Sequence, residues 1–120
     1  MINLAGIKNI AVVGASANPD KFGNKIVANL KARGFNVYPV NPKSEIILGL
    51  RTYNGIEELP REVELLDIVT PPLITLKILQ AAKELGFNKV WIQPGAESEE
   101  VLEYLKKNNF DYIAQACIMV

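Results

Sequence analysis

Residues 10 to 24 carry the segment best suited to hold an anion: Ile10 to Val13, then Gly14, Ala15, Ser16, a polar stretch through Pro19, Asp20 and Lys21, then Phe22, Gly23 and Asn24. The continuous apolar run reads as a strand covered on both faces, ended by Gly14 where the backbone must turn sharply. Gly23 opens a helical stretch. Free amides at a helix start, beside small side chains, form a concave and partly positive site for phosphate. Lys21 and Lys25 add mobile charge. The glycines are too far apart for the dinucleotide fingerprint G-x-G-x-x-G, so the longer loop would reach over a phosphate group, or simply close a strand of an open sheet.

Other chemistry is excluded by composition. The chain has no histidine and one cysteine, Cys117. Without imidazole there is no Ser/His or Cys/His pair and no ordinary histidine metal site. A single cysteine makes no internal disulfide, as expected of a reducing compartment. Cys117 is read either as a small buried hydrophobe or as a thiol able to form a mixed disulfide with a thiol ligand.

The elements that must position these residues alternate regularly. Strands are expected at Ile10–Ala15, Asn36–Asn41, Leu65–Thr70, Lys89–Gln93 and Tyr112–Ile118, with a short irregular edge strand over Ile46–Tyr53. Helices are expected over Asn24–Arg33, stopped by Gly34; after Pro71-Pro72, with Ile74, Ile78, Ala82 and Leu85 on one face and Gly86 as stop; and after Ser98 as cap. One helical turn fits Ile56 to Leu59. The pattern predicts a single doubly wound Rossmann-like α/β domain over residues 1–120, its sheet mainly parallel and covered by helices on both sides.

In such a sheet ligands lie outside the carboxyl ends of the strands, where strand order reverses. The end of the second strand discriminates among them. An NAD-binding protein commonly places a carboxylate there for the ribose hydroxyls, but this chain has Asn41, Pro42 and Lys43. A lysine favours an additional ribose phosphate, as in coenzyme A at the 3′ position or NADP at the 2′ position. Lys43 also fits a plain surface charge after a strand-ending turn. An NADP-binding oxidoreductase or redox-sensing domain is therefore the alternative to a coenzyme A binder.

Net charge is zero, which argues against nucleic acid as a partner. The charge is uneven, however. Through Gly55, Lys8, Lys21, Lys25, Lys31, Arg33, Lys43 and Arg51 face only Asp20 and Glu45, as a small phosphate-bearing ligand or solvated helix faces would require. No apolar stretch approaches the ~20 residues of a membrane span, and the start lacks a signal pattern, so a soluble, cytoplasmic protein is expected. Ile118, Met119 and Val120 form an apolar end that packs inside or against a second copy in a homodimer.

Taken together, Val-Val-Gly-Ala-Ser, Lys-Phe-Gly-Asn-Lys, Tyr-Pro-Val-Asn-Pro-Lys, Val-Thr-Pro-Pro, Trp-Ile-Gln-Pro-Gly-Ala-Glu and Ala-Cys-Ile-Met resemble the small stand-alone CoA-binding proteins, similar in fold to the N-terminal domain of the succinyl-CoA synthetase α subunit. The resemblance covers nearly the whole chain. It implies a coenzyme A pyrophosphate held by Gly14, Ala15, Ser16 and Lys21, within the loop that continues through Phe22, Gly23 and Asn24. It implies the adenosine end at Val40, Asn41, Pro42 and Lys43, and a wall at Val69, Thr70, Pro71 and Pro72. The thiol end is implied near Gln93, Gly95 and Glu97. Ligase activity is not implied, because that reaction uses a histidine in a second domain and a nucleotide-binding partner.

Overall fold

The computed structural model describes residues 2–43 and 46–119. Five parallel strands form one sheet: β1 (Asn9–Val13), β2 (Asn36–Val40), β5 (Leu65–Ile68), β6 (Lys89–Ile92) and β7 (Asp111–Ala114), in the order β2-β1-β5-β6-β7. Counting these alone, the order is 2-1-3-4-5, so the topology reverses between β1 and β5.

Alternation along the strands builds two cores. Ala11, Val13, Leu66, Ile68, Val90 and Ile92 face helices α2 (Pro72–Leu85) and α3 (Glu99–Lys107), meeting Leu79, Ala82, Val101 and Leu105. Ile10, Val12, Leu65 and Trp91 face α1 (Phe22–Ala32), meeting Ile26, Val27 and Leu30. Helices therefore cover both faces, as expected. At about 25 cal/mol per Å² of buried apolar surface, these two layers supply the main drive for folding.

Three local expectations are corrected. The stretch Ile46–Tyr53 is a hairpin, with β3 (Ile46–Ile47) antiparallel to β4 (Leu50–Arg51). Leu48 and Gly49 make its turn with φ of 50° and 79°. Both central residues having positive φ matches the twist of a two-residue hairpin. Tyr53 then forms an isolated parallel bridge with Val40.

The buried face of α2 is Thr75, Leu79 and Ala82, whereas Ile74 and Leu85 are 45% and 47% exposed. Thr75 explains the rotation. Its hydroxyl reaches the Thr70 hydroxyl at 2.8 Å and donates to the Thr70 carbonyl at 3.1 Å, so a polar residue turns inward at the helix start.

β7 stops at Ala114 instead of Ile118. Its partner β6 ends at Ile92, leaving no ladder to follow, and Gln115 turns the chain with φ of 63°. The following residues fold back over the α1 side. Trp91 donates its indole N–H to the Ala116 carbonyl at 2.8 Å, Ile118 donates its amide to Gln93 Oε1 at 3.0 Å, and Arg33 donates to the Ile118 carbonyl at 2.8 Å. Ile118 is fully buried in the chain's own core with Met119 packed against it, so it offers no dimer surface. Val120 lies outside the described residues.

Candidate functional site

A cavity of about 890 Å³ opens at the carboxyl ends of β1, β2 and β5, across the reversal point. This is within the ~300–1,000 Å³ range of small-molecule sites. Thirteen expected residues line it: Gly14, Ala15, Ser16, Lys21, Phe22, Gly23, Val40, Asn41, Pro42, Lys43, Val69, Thr70 and Pro71.

The turn after β1 is shaped by close backbone approach. Gly14 has φ of 99°, and a β-carbon there would sit 3.1 Å from Thr70 Cγ2 and 3.2 Å from the Val69 carbonyl carbon. Gly23 is tighter still, for its β-carbon would fall 2.2 Å from the Gly14 carbonyl oxygen. The first turn of α1 thus rests directly on the glycine turn. Lys21 caps α1 without a side-chain hydrogen bond, and no acidic side chain occupies the first turn. The unsatisfied amides and helix dipole there favour an anion.

Asparagines and a serine fix the loop. Asn24 donates its amide to the Ser16 carbonyl at 2.9 Å, Asn41 donates to the Ala15 carbonyl at 2.7 Å, and Asn41 Oδ1 accepts from the Lys43 amide at 2.7 Å. Ser16 Oγ accepts from the Asn18 amide at 3.1 Å, and Asn18 Oδ1 from the Asp20 amide at 2.9 Å. These contacts hold the ends of β1 and β2 together before any ligand arrives, which lowers the ordering cost of binding. Among the described residues, Lys21 and Lys43 have no carboxylate in ion-pair range, so both cations are available.

Five expected residues stand outside the cavity wall: Asn24, Pro72, Gln93, Gly95 and Cys117. Asn24 is buried and braces the loop from behind; Pro72 begins α2. Gln93 is fully buried, its Nε2 donating to Cys117 Sγ at 3.4 Å while its Oε1 takes the Ile118 amide. Cys117 is half-buried. Gly95 has φ of 94° in the turn after β6, where its amide donates to Glu97 Oε2 at 3.2 Å.

The sequence reading missed the opposite wall. Asn54, Gly55, Ile56 and Glu57 line the cavity together with Ile74, Lys77, Ile78 and Ala81 of α2, which packs against the 3-10 turn Ile56–Glu58. The spacing 74, 77, 78, 81 is one helical stripe, and its interrupting lysine was the signal that this face is not sealed core. Among the described residues no three metal-ligating side chains gather, and no helix is long and apolar enough to cross a membrane.

Comparison with known proteins bears on the family and the fold. The alpha subunit of the ADP-forming acetate–CoA ligase II of Pyrococcus furiosus is 32% identical over 92% of this chain. This chain spans only 27% of that subunit. A solved conserved hypothetical protein from Pyrococcus furiosus superposes with a TM-score of 0.91 at 46% identity, covering 94% of this chain and 97% of that one. A dinucleotide-forming acetyl-coenzyme A synthetase 1 of Ca. Korarchaeum cryptofilum, in complex with phosphate and ADP, gives a TM-score of 0.76 at 27% identity, covering 96% of this chain and 27% of that one. The model of the CoA binding domain family matches residues 8–120, and the chain belongs to that family.

Proposed function

We propose that this protein binds coenzyme A or an acyl-CoA as a cofactor-holding domain, without ligase chemistry of its own. The observation that carries the reading is one preformed cavity joining the bare N-terminus of α1, the glycine turn and Lys43. The pyrophosphate would lie against the amides at Ala15, Ser16, Phe22 and Gly23, with Lys21 closing over it, while the Gly14 amide stays bonded to the Val40 carbonyl. The ribose 3′-phosphate would meet Lys43. No histidine is present to carry a phosphoryl group, and the chain spans 27% of a much longer ligase subunit that it resembles.

Calorimetry with coenzyme A, 3′-dephospho-CoA, NADP and NAD tests the assignment. Coenzyme A should bind most tightly, and removal of its 3′-phosphate should weaken binding about thirtyfold, the scale of one charge-assisted phosphate contact. Lys43→Glu should cost a similar factor for coenzyme A and little for the dephospho form. Tight NADP binding without coenzyme A binding would replace the reading with a redox domain.

A redox role for Cys117 requires disulfide exchange. Its thiolate would attack one sulfur of CoA disulfide, forming the Cys117–CoA mixed disulfide and releasing one CoA thiolate. Intact-mass measurement after incubation with CoA disulfide should then show a CoA-sized adduct that disappears in Cys117→Ser. No adduct would leave Cys117 as the packing and hydrogen-bonding partner of Gln93.

A further inference from the structure

The wall that the sequence reading missed contains two opposite charges facing one apolar slot. Ile56 is buried at its base, and Ile74 and Ile78 line it from α2. Glu57 sits in the short 3-10 turn Ile56–Glu58, and Lys77 on α2, which packs against that turn. Despite their shared cavity, neither has an ion-pair partner among the described residues.

Gly55 leaves room beside the Glu57 carboxylate. Its φ of −163° is ordinary extended backbone that any residue adopts. The carboxylate folds back into the space that a β-carbon at position 55 would fill. The adjacent Glu58 is already engaged, accepting from the Asn54 amide at 3.0 Å and the Asn54 side chain at 3.4 Å. Glu57 alone of the pair is left to face the cavity.

From this juxtaposition we infer that Glu57 and Lys77 select the base of the bound nucleotide by reading the Watson–Crick edge of adenine. The inference rests on the proposed coenzyme A binding. Adenine presents an amine donor at N6 beside an acceptor at N1. Glu57 is an acceptor only and Lys77 a donor only, so the pair matches that edge in kind. Hypoxanthine and guanine present the reverse, an O6 acceptor beside an N1–H donor. They would set oxygen against carboxylate and N–H against ammonium, which is discrimination by repulsion as well as by attraction. The aliphatic slot would take the ring faces.

The test is calorimetry of the full chain with coenzyme A, its hypoxanthine analogue and 1,N6-etheno-CoA, in which both N1 and N6 are blocked. The wild-type protein should bind both analogues about tenfold more weakly than coenzyme A, a modest factor because both charges are solvent-exposed. Glu57→Ala and Lys77→Ala should each narrow that gap to about twofold, and their exposed positions leave folding intact. The exchange Glu57→Lys with Lys77→Glu should reverse the preference toward hypoxanthine. Equal wild-type affinity for all three ligands overturns the inference while leaving coenzyme A binding in place. A gap that persists in both alanine variants overturns it likewise. Failure of coenzyme A itself to bind removes the inference and its parent together.

Discussion

Gly23→Ala is expected to destabilise the protein by about 3 kcal/mol and to lower coenzyme A affinity at least a hundredfold, out of proportion to the single methyl group added. A β-carbon 2.2 Å from the Gly14 carbonyl oxygen cannot be relieved by a side-chain rotation, because the obstacle is backbone. Either α1 withdraws from the turn or the turn moves into the cavity. Both shifts separate the amides of Phe22 and Gly23 from the Gly14–Ser16 loop, so stability and binding fall together. Gly6→Ala is the control, since nothing lies within 4 Å of a β-carbon there. Urea melts and calorimetry on the two variants measure the contrast, and a Gly23→Ala protein as stable as Gly6→Ala would refute it.

Asp67→Asn is expected to stabilise the protein at neutral and alkaline pH. Asp67 lies in the middle of β5, fully buried, between Val12 and Trp91 on the neighbouring strands. Both of its carboxyl oxygens lack a hydrogen-bond partner. Burial pushes its pKa well above the usual carboxylate range. Below the unfolded value near 4, both states hold the proton and pH has no effect through this group. Above it the unfolded chain releases a proton that the native one retains. Stability then falls by about 1.4 kcal/mol per pH unit until the native carboxyl ionises. Glu64 acts in the opposite sense, its pKa lowered by the Lys8 and Asn9 amides that it accepts, so its contribution is lost as pH falls. Urea midpoints between pH 4 and 8 should decline for the wild type and stay nearly level for Asp67→Asn. Parallel profiles for the two proteins would show that Asp67 does not titrate between the states.

What the sequence revealed follows the strength of local signals. The run Ile10 to Val13 and the stops at Gly34 and Gly86 are dictated by burial and backbone sterics, so β1, α1 and α2 were legible to within a few residues. The first wall of the cavity was legible for the same reason, because strand ends in a parallel sheet converge. The second wall was not. Ile74 and Ile78 have the periodicity of core, and only the tertiary path of residues 54–57 leaves a gap beside them. Cys117 differs: its expected place at a strand end assumed a seven-residue β7, and the turn at Gln115 carries that segment away. Gln93 does follow β6 directly, but its side chain is taken up by Cys117 and Ile118 of the returning segment. Asp67 was passed over: the strand Leu65–Thr70 reads as buried from its apolar residues, and nothing local marks the one carboxyl within it as lacking a partner.

The return of Ile118 to the α1 side couples that segment to a helix 85 positions upstream, through the Arg33 side chain and the Ile118 carbonyl. Trp91 shares this face with Ile2, Ile7 and Ile47 and donates its indole N–H to the Ala116 carbonyl. Loosening the clasp would wet the indole and slacken α1 together, so tryptophan fluorescence reports on the seating of the helix whose first turn borders the cavity.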